Sequence, residues 1–193
     1  MNNINKLYRK MTAYDKEDPK RIQHFVKVHS FAKLIGEEEG MDENALEVLE
    51  AAALVHDIGI KPAMEQYGKC DGKLQEKLGP KEAEKMLGEL GFSQEVTKRV
   101  CFLVGHHHTY THIEGMDYQI LVEADFLVNF YEDKMNTETI RTTVENIFRT
   151  KTGKEIAENM YFPEPFQKSE TWAQDALQDL EDFIEEQGIY IRQ

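Results

Sequence analysis

An all-α fold is predicted for this chain on three observations. Apolar residues recur at spacings of three and four in segment after segment, the period-two alternation of strands is almost absent, and the breaks carry helix-capping residues. The expected helices run over 3–14, 19–39, 42–58, 61–67, 80–91, 93–106, 116–133, 136–150, 153–160 and 169–187.

The second segment opens at Pro19, and His24, Val28, Phe31 and Ile35 form its stripe. Asp42 can cap the third, where Leu46, Leu49, Ala53 and His56 share one face, and a turn at Gly59 leads into the fourth. Pro80 after Gly79 suits a first helical turn, which starts the fifth at residue 80. Ser93, two residues past Gly91, can cap the sixth, whose apolar run Val96, Val100, Leu103 and Val104 leads into His106-His107-His108. The segment Tyr118-Gln-Ile-Leu-Val-Glu-Ala-Asp125-Phe-Leu-Val-Asn129 is apolar almost all round, as expected of a central helix. The Pro163-Glu-Pro165 stretch interrupts helix, so 162–166 reads as an extended crossing before a final amphipathic helix with Trp172, Ala176, Leu180 and Phe183 on one side.

Composition fits a single soluble domain over 1–193. The chain has 193 residues, enough for a sizeable core, with no internal repeat or low-complexity linker. No run approaches the roughly 20 apolar residues needed to span a bilayer, and Met1-Asn-Asn-Ile-Asn-Lys-Leu-Tyr-Arg-Lys10 is too polar for a secretory signal. Cys70 and Cys101 make no Cys-x-x-Cys pair and read as reduced thiols of a cytoplasmic protein. With 23 basic residues against 36 acidic, the net charge of −13 argues against duplex nucleic acid as a partner, which requires Lys and Arg to neutralise phosphates.

The chemistry centres on His56-Asp57. The apolar stripe of its helix runs straight into the imidazole, and a carboxylate in such a setting is costly unless a cation or several donors satisfy it. A divalent metal would do so, because neutral imidazole and carboxylate are both good ligands for it. A histidine at a helix end with an aspartate capping the turn is the ordinary alternative for one such pair. Here the pair does not stand alone, since His24 and the His106-His107-His108 run lie on or end apolar helices and Asp125 sits inside one.

The stretches Arg21-Ile-Gln-His24-Phe-Val-Lys-Val28, Ala-Leu-Val-His56-Asp57-Ile-Gly, Leu-Val-Gly-His106-His107 and Val-Glu-Ala-Asp125-Phe-Leu-Val resemble, in order and spacing, the HD superfamily of metal-dependent phosphohydrolases. The resemblance covers roughly residues 19–135. It implies an HD-domain helical bundle with its metal-binding core there, and 136–193 as a C-terminal helical extension packed on the core. It also implies one divalent ion (Mn, Fe, Co, Ni, Zn or Mg) held by His24, His56, Asp57 and Asp125. Asp57 then has a catalytic role as well, orienting a metal-activated water for attack on phosphorus.

His106 and His107 occupy the positions where the resembled family binds a second ion. The further histidine that many members carry in the intervening segment is missing from Gly72-Lys-Leu-Gln-Glu-Lys-Leu-Gly79-Pro80, so Gln75 or Glu76 must stand in or the second site is absent. The anionic Glu76 is the better ligand chemically, and a carboxylate there implies a looser second site. Lys61, just past the His-Asp turn, is a candidate for catalysis and phosphate binding; Arg21 and Asn129, each one turn from a ligand, are candidates for substrate contact. The substrate implied is a small phosphorylated molecule, a nucleotide first, with no membrane partner. A di-iron oxygenase, which needs both metal sites, and a non-catalytic nucleotide sensor are the alternatives.

Overall fold

The computed structural model describes residues 3–162. The chain divides into a compact unit ending at Tyr161 and a second unit over 162–193. The expected helix over 169–187 lies outside the described residues.

Among those residues there is no strand, and nine α-helices follow one another: α1 (Asn3–Tyr14), α2 (Pro19–Glu38), α3 (Glu43–Val55), α4 (Ile60–Tyr67), α5 (Gly72–Leu90), α6 (Gln94–Val104), α7 (Met116–Glu132), α8 (Thr137–Ile147) and α9 (Lys151–Tyr161). The caps read from sequence are in place: the Asp42 side chain accepts from Ala45 N at 2.9 Å and that of Ser93 from Val96 N at 3.2 Å, each satisfying an amide the first turn leaves unpaired. No described helix is long and apolar enough to cross a membrane.

Helix α5 departs from expectation. It begins eight residues before Pro80, at Gly72, where Asp71 caps it by accepting from Leu74 N at 3.0 Å, and Pro80 is carried inside the helix. A proline forfeits the amide that would bond the carbonyl four residues back, here that of Glu76. The apolar face of Ala83, Met86 and Leu87 beyond it is fully packed, so tertiary burial outweighs the local cost.

The core forms around α3, which packs on α1, α2, α6 and α7. Its last seven residues, Leu49 to Val55 apart from Glu50, are buried all round, and the alanines at 51–53 let its neighbours approach closely. Helix α7 lies against both α2 and α3 and is buried from Tyr118 to Asp125. Burial of side chains such as Leu49, Phe25 and Leu103 stabilises this arrangement by about 2 kcal/mol each. The α8–α9 junction is tied to α7 by the buried Glu123: its Oε1 accepts from Gln119 Nε2 at 2.7 Å, Arg149 N at 2.6 Å and Thr150 N at 3.0 Å, and its Oε2 takes the Thr150 hydroxyl. A fully bonded carboxylate at the start of α9 also meets the positive end of that helix.

Candidate metal centre

Eight polar or charged residues are buried among the described ones, and four of them, His24, His56, His107 and Asp125, lie together where α2, α3 and α7 meet the turn after α6. His24 comes from the buried stripe of α2, His56 from the C-cap of α3, and Asp125 from the middle of α7. Asp57 belongs to the turn between α3 and α4, closed by Ile58 N–H to Val55 O at 3.0 Å and Ile60 N–H to Asp57 O at 3.0 Å.

Their nitrogen and oxygen atoms converge. His24 Nε2 is 3.2 Å from His56 Nε2, 3.1 Å from Asp125 Oδ1 and 3.6 Å from Asp57 Oδ2. His56 Nε2 is 3.5 Å from Asp57 Oδ2 and 3.7 Å from Asp125 Oδ1. The other Asp57 oxygen, Oδ1, lies 3.6 Å from His107 Nε2. His24, His56 and Asp57 thus form one group able to hold a metal, and Asp57, His107 and His108 form another, with Asp57 common to both.

The donors fit a cation. His56 and His107 each donate Nδ1–H to a backbone carbonyl, Ala53 O and Val104 O, both at 2.9 Å. This fixes the tautomer and leaves the Nε2 lone pairs facing the cluster. His107 Nε2 is buried and has no hydrogen-bond partner, an orphan acceptor that a cation would satisfy. Burial lowers the pKa of His56 against the pull of Asp57 and Asp125, keeping it neutral as a ligand must be. For His24 burial is outweighed by Asp125, Asp57 and Glu132, and its pKa rises to about 9: these carboxylates call for a positive charge at His24 Nε2, which a bound cation would supply in place of a proton. Burial likewise opposes ionisation of Asp57, but His56, His107 and His24 hold its carboxyl well below the usual range.

Beside the cluster opens a cleft of about 220 Å³ lined by Asp18, Lys20, Arg21, His24, Asp57, Ile60, Asn129, Glu132 and Asp133. Arg21 and Asn129, the two expected substrate contacts, both reach it. Asn129 Nδ2 donates to Asp125 Oδ1 at 2.9 Å, and Arg21 is steadied by Asp18 at 3.4 Å and Asp15 at 3.9 Å.

Three expected site residues are placed elsewhere. Lys61 turns to α1, where its Nζ donates to Tyr14 O at 3.0 Å and sits 4.7 Å from the centre of the Tyr14 ring, so its ammonium is already engaged away from the cleft. His106 is exposed, stacked on Phe102 with ring centres 4.2 Å apart and Nδ1 bonded to Phe102 O. The adjacent pair in the cluster is therefore His107 and His108, not His106 and His107. Glu76 braces the histidine turn from outside: its Oε1 accepts from His108 N at 3.1 Å and Thr109 Oγ1 at 2.9 Å, and it joins neither metal group. The segment's other polar residue, Gln75, places Oε1 3.1 Å from His108 Nε2. Tyr118 Oη completes the brace, its single O–H shared between the carbonyls of His106 and Thr109.

One residue that the sequence reading passed over is Glu132, whose Oε2 lies 3.1 Å from His24 Nδ1. With Asp125 and Asn129 it stands at i, i+4 and i+7 of α7, a face whose polar character in an otherwise apolar helix is a readable signal.

The four motif stretches and the buried His/Asp cluster they build define an HD-type helical domain. The chain belongs to the HD domain family, which matches residues 21–140. That family consists mostly of hydrolases that bind divalent metals. No curated protein matches the chain. Among solved structures it is similar to selenomethionine-labelled YpgQ of Bacillus subtilis, with 17% identity, a TM-score of 0.57 and 95% of this chain and 96% of that one covered. It is also similar to YpgQ of Bacillus subtilis in complex with ADP, with 16% identity, a TM-score of 0.52 and coverage of 94% and 97%. At such identity the likeness concerns the fold.

Proposed function

We propose that this protein is a metal-dependent phosphohydrolase acting on a small phosphate ester or anhydride, with nucleoside phosphates as the substrate class. The observation that carries the proposal is Asp57, whose two oxygens face two separate histidine groups at the floor of a cleft that also holds Lys20 and Arg21. The similar fold crystallised with ADP makes nucleotides the first class to test.

In this reading His24, His56, Asp57 and Asp125 hold the tight divalent ion, and Asp57, His107 and His108 offer a second position. A bound divalent cation supplies a water of lowered pKa and a Lewis acid for a phosphoryl oxygen. Asp57 accepts a hydrogen bond from the attacking water and sets its direction. Arg21, held at the lip by Asp15 and Asp18, binds the phosphate that remains. Asn129 keeps Asp125 in place through Oδ1 and turns its remaining N–H toward substrate. Among the described residues no serine, cysteine or threonine lines the cleft, and the reading assigns the attack to water.

The test is release of phosphate or pyrophosphate from a panel of nucleotides and other phosphate esters by manganese-loaded protein under anaerobic conditions. Turnover that is abolished in His56→Ala supports the reading. Turnover that depends strictly on dioxygen, with no phosphate released, contradicts it.

A further inference from the structure

We infer that Glu132 and Lys27 form a positioning pair that tunes His24 as a metal ligand, Glu132 strengthening the ligand and Lys27 restraining it. The inference rests on the reading that His24 ligates a cation. The three buried histidines of the cluster are oriented in two ways. His56 and His107 give Nδ1–H to neutral backbone carbonyls, whereas His24 gives it to a carboxylate, Glu132 Oε2 at 3.1 Å. An anionic acceptor pushes electron density toward Nε2 and makes the imidazole a stronger donor to a metal. It also fixes the ring plane, so that Nε2 stays aimed at Asp125 and His56.

The charges explain the lysine. Asp57 and Asp125 together balance a divalent ion, and Glu132 alone would leave the site one negative charge in excess, unfavourable to an anionic phosphate in the same cleft. Lys27, one turn after His24 on α2, reaches across to the second oxygen, Glu132 Oε1, and cancels that charge. Glu132 is largely buried, its side chain 12% exposed, while that of Lys27 is 39% exposed. The lysine can therefore be replaced with little disturbance of packing. The sharing of one carboxylate between His24 and Lys27 sets two opposed effects on the same ion, and this opposition separates tuning from simple bracing of α2 against α7.

The experiment is titration of cobalt(II) into metal-free wild type, Glu132→Gln, Lys27→Met and His56→Ala, followed by the visible absorption of the bound ion and by competition with a chelator. Glu132→Gln keeps the shape and an acceptor oxygen but loses the charge, and it is expected to weaken cobalt about 10- to 100-fold and to shift the absorption band. Lys27→Met frees the full charge of Glu132 and is expected to bind cobalt several-fold more tightly. Affinity in Glu132→Gln within twofold of wild type overturns the inference, as does weakening in Lys27→Met, which would mark the pair as a brace. Wild type that binds cobalt no better than His56→Ala overturns the metal reading itself. Matched thermal melts of the metal-free variants show that all are folded.

Discussion

At the scale of single residues, Asp15 poses a sharp electrostatic problem. Its side chain is only 3% exposed, Oδ2 lacks a hydrogen-bond partner, and Arg21 stands 3.9 Å from Oδ1, beyond hydrogen-bond range. Burial raises its pKa to about 6, with Arg21 and Lys61 opposing and Asp18 and Asp57 adding to the rise. The folded state therefore holds this proton more tightly than the unfolded chain. The stability it contributes is fully present below about pH 4 and is lost as the pH climbs through 6. Asp15→Asn, which mimics the protonated carboxyl, is expected to stabilise the protein by about 2 kcal/mol at pH 8 and by almost nothing at pH 4, measured by denaturant melts. A loss of stability at pH 8 would show that the pairing with Arg21 dominates instead. Other residues divide by how far local pattern reaches. His24 and His56 stand on helical stripes and Asp125 inside a helix apolar almost all round, so the sequence reveals that they face the interior, and the structure brings them together with Asp57. The histidine run begins after Gly105, where α6 has ended, and helical spacing no longer says which of three consecutive rings turns inward. Lys61 escaped for a different reason: its partner Tyr14 is 47 positions away, and nothing local announces α1 as its neighbour.

At the scale of elements, the His-Asp turn is held by close backbone packing of the start of α4 on α5. A Cβ at Gly59 would come within 2.6 Å of Gln75 O and 2.9 Å of Gly79 N. These are main-chain atoms of a packed helix and cannot turn aside. Gly59→Ala is expected to destabilise by about 2–3 kcal/mol and to weaken metal binding, since Asp57 is two residues away. An unchanged denaturant midpoint would mean that α5 shifts freely. The same contact explains why α5 starts earlier than its sequence pattern indicates. Gly72 and Gly79 read as breakers and Pro80 as a start, yet their small size or fixed φ serves close approach: a Cβ on Gly72 would strike the His108 ring at 2.9 Å, and one on Gly79 would strike Val104 Cγ1 at 2.6 Å. Tertiary proximity of this kind leaves no local periodicity to read. Helices α2 and α6 are legible because burial writes its period directly into their sequences, and α3 and α7 because their apolar runs are too long for strands.

At the scale of the whole molecule, the cluster joins helices far apart in sequence, α2, α3 and α7, together with the turn after α6. An ion bound there couples to global unfolding, because the unfolded chain presents no preformed site. Manganese at about a hundred times its dissociation constant is expected to add nearly 3 kcal/mol, raising the melting temperature on the order of 5–10 °C. Scanning calorimetry with and without the ion checks this, and an unchanged melting temperature in wild type would contradict it. The most direct test of the central claim, that this buried polar cluster is a metal site, is the metal content of protein purified without chelators, for wild type and Asp57→Ala side by side. Expected are at least one divalent ion per wild-type chain and none retained by Asp57→Ala, whose helical circular dichroism persists because the carboxylate and the ion charge leave together. Stoichiometric metal in Asp57→Ala would contradict the claim.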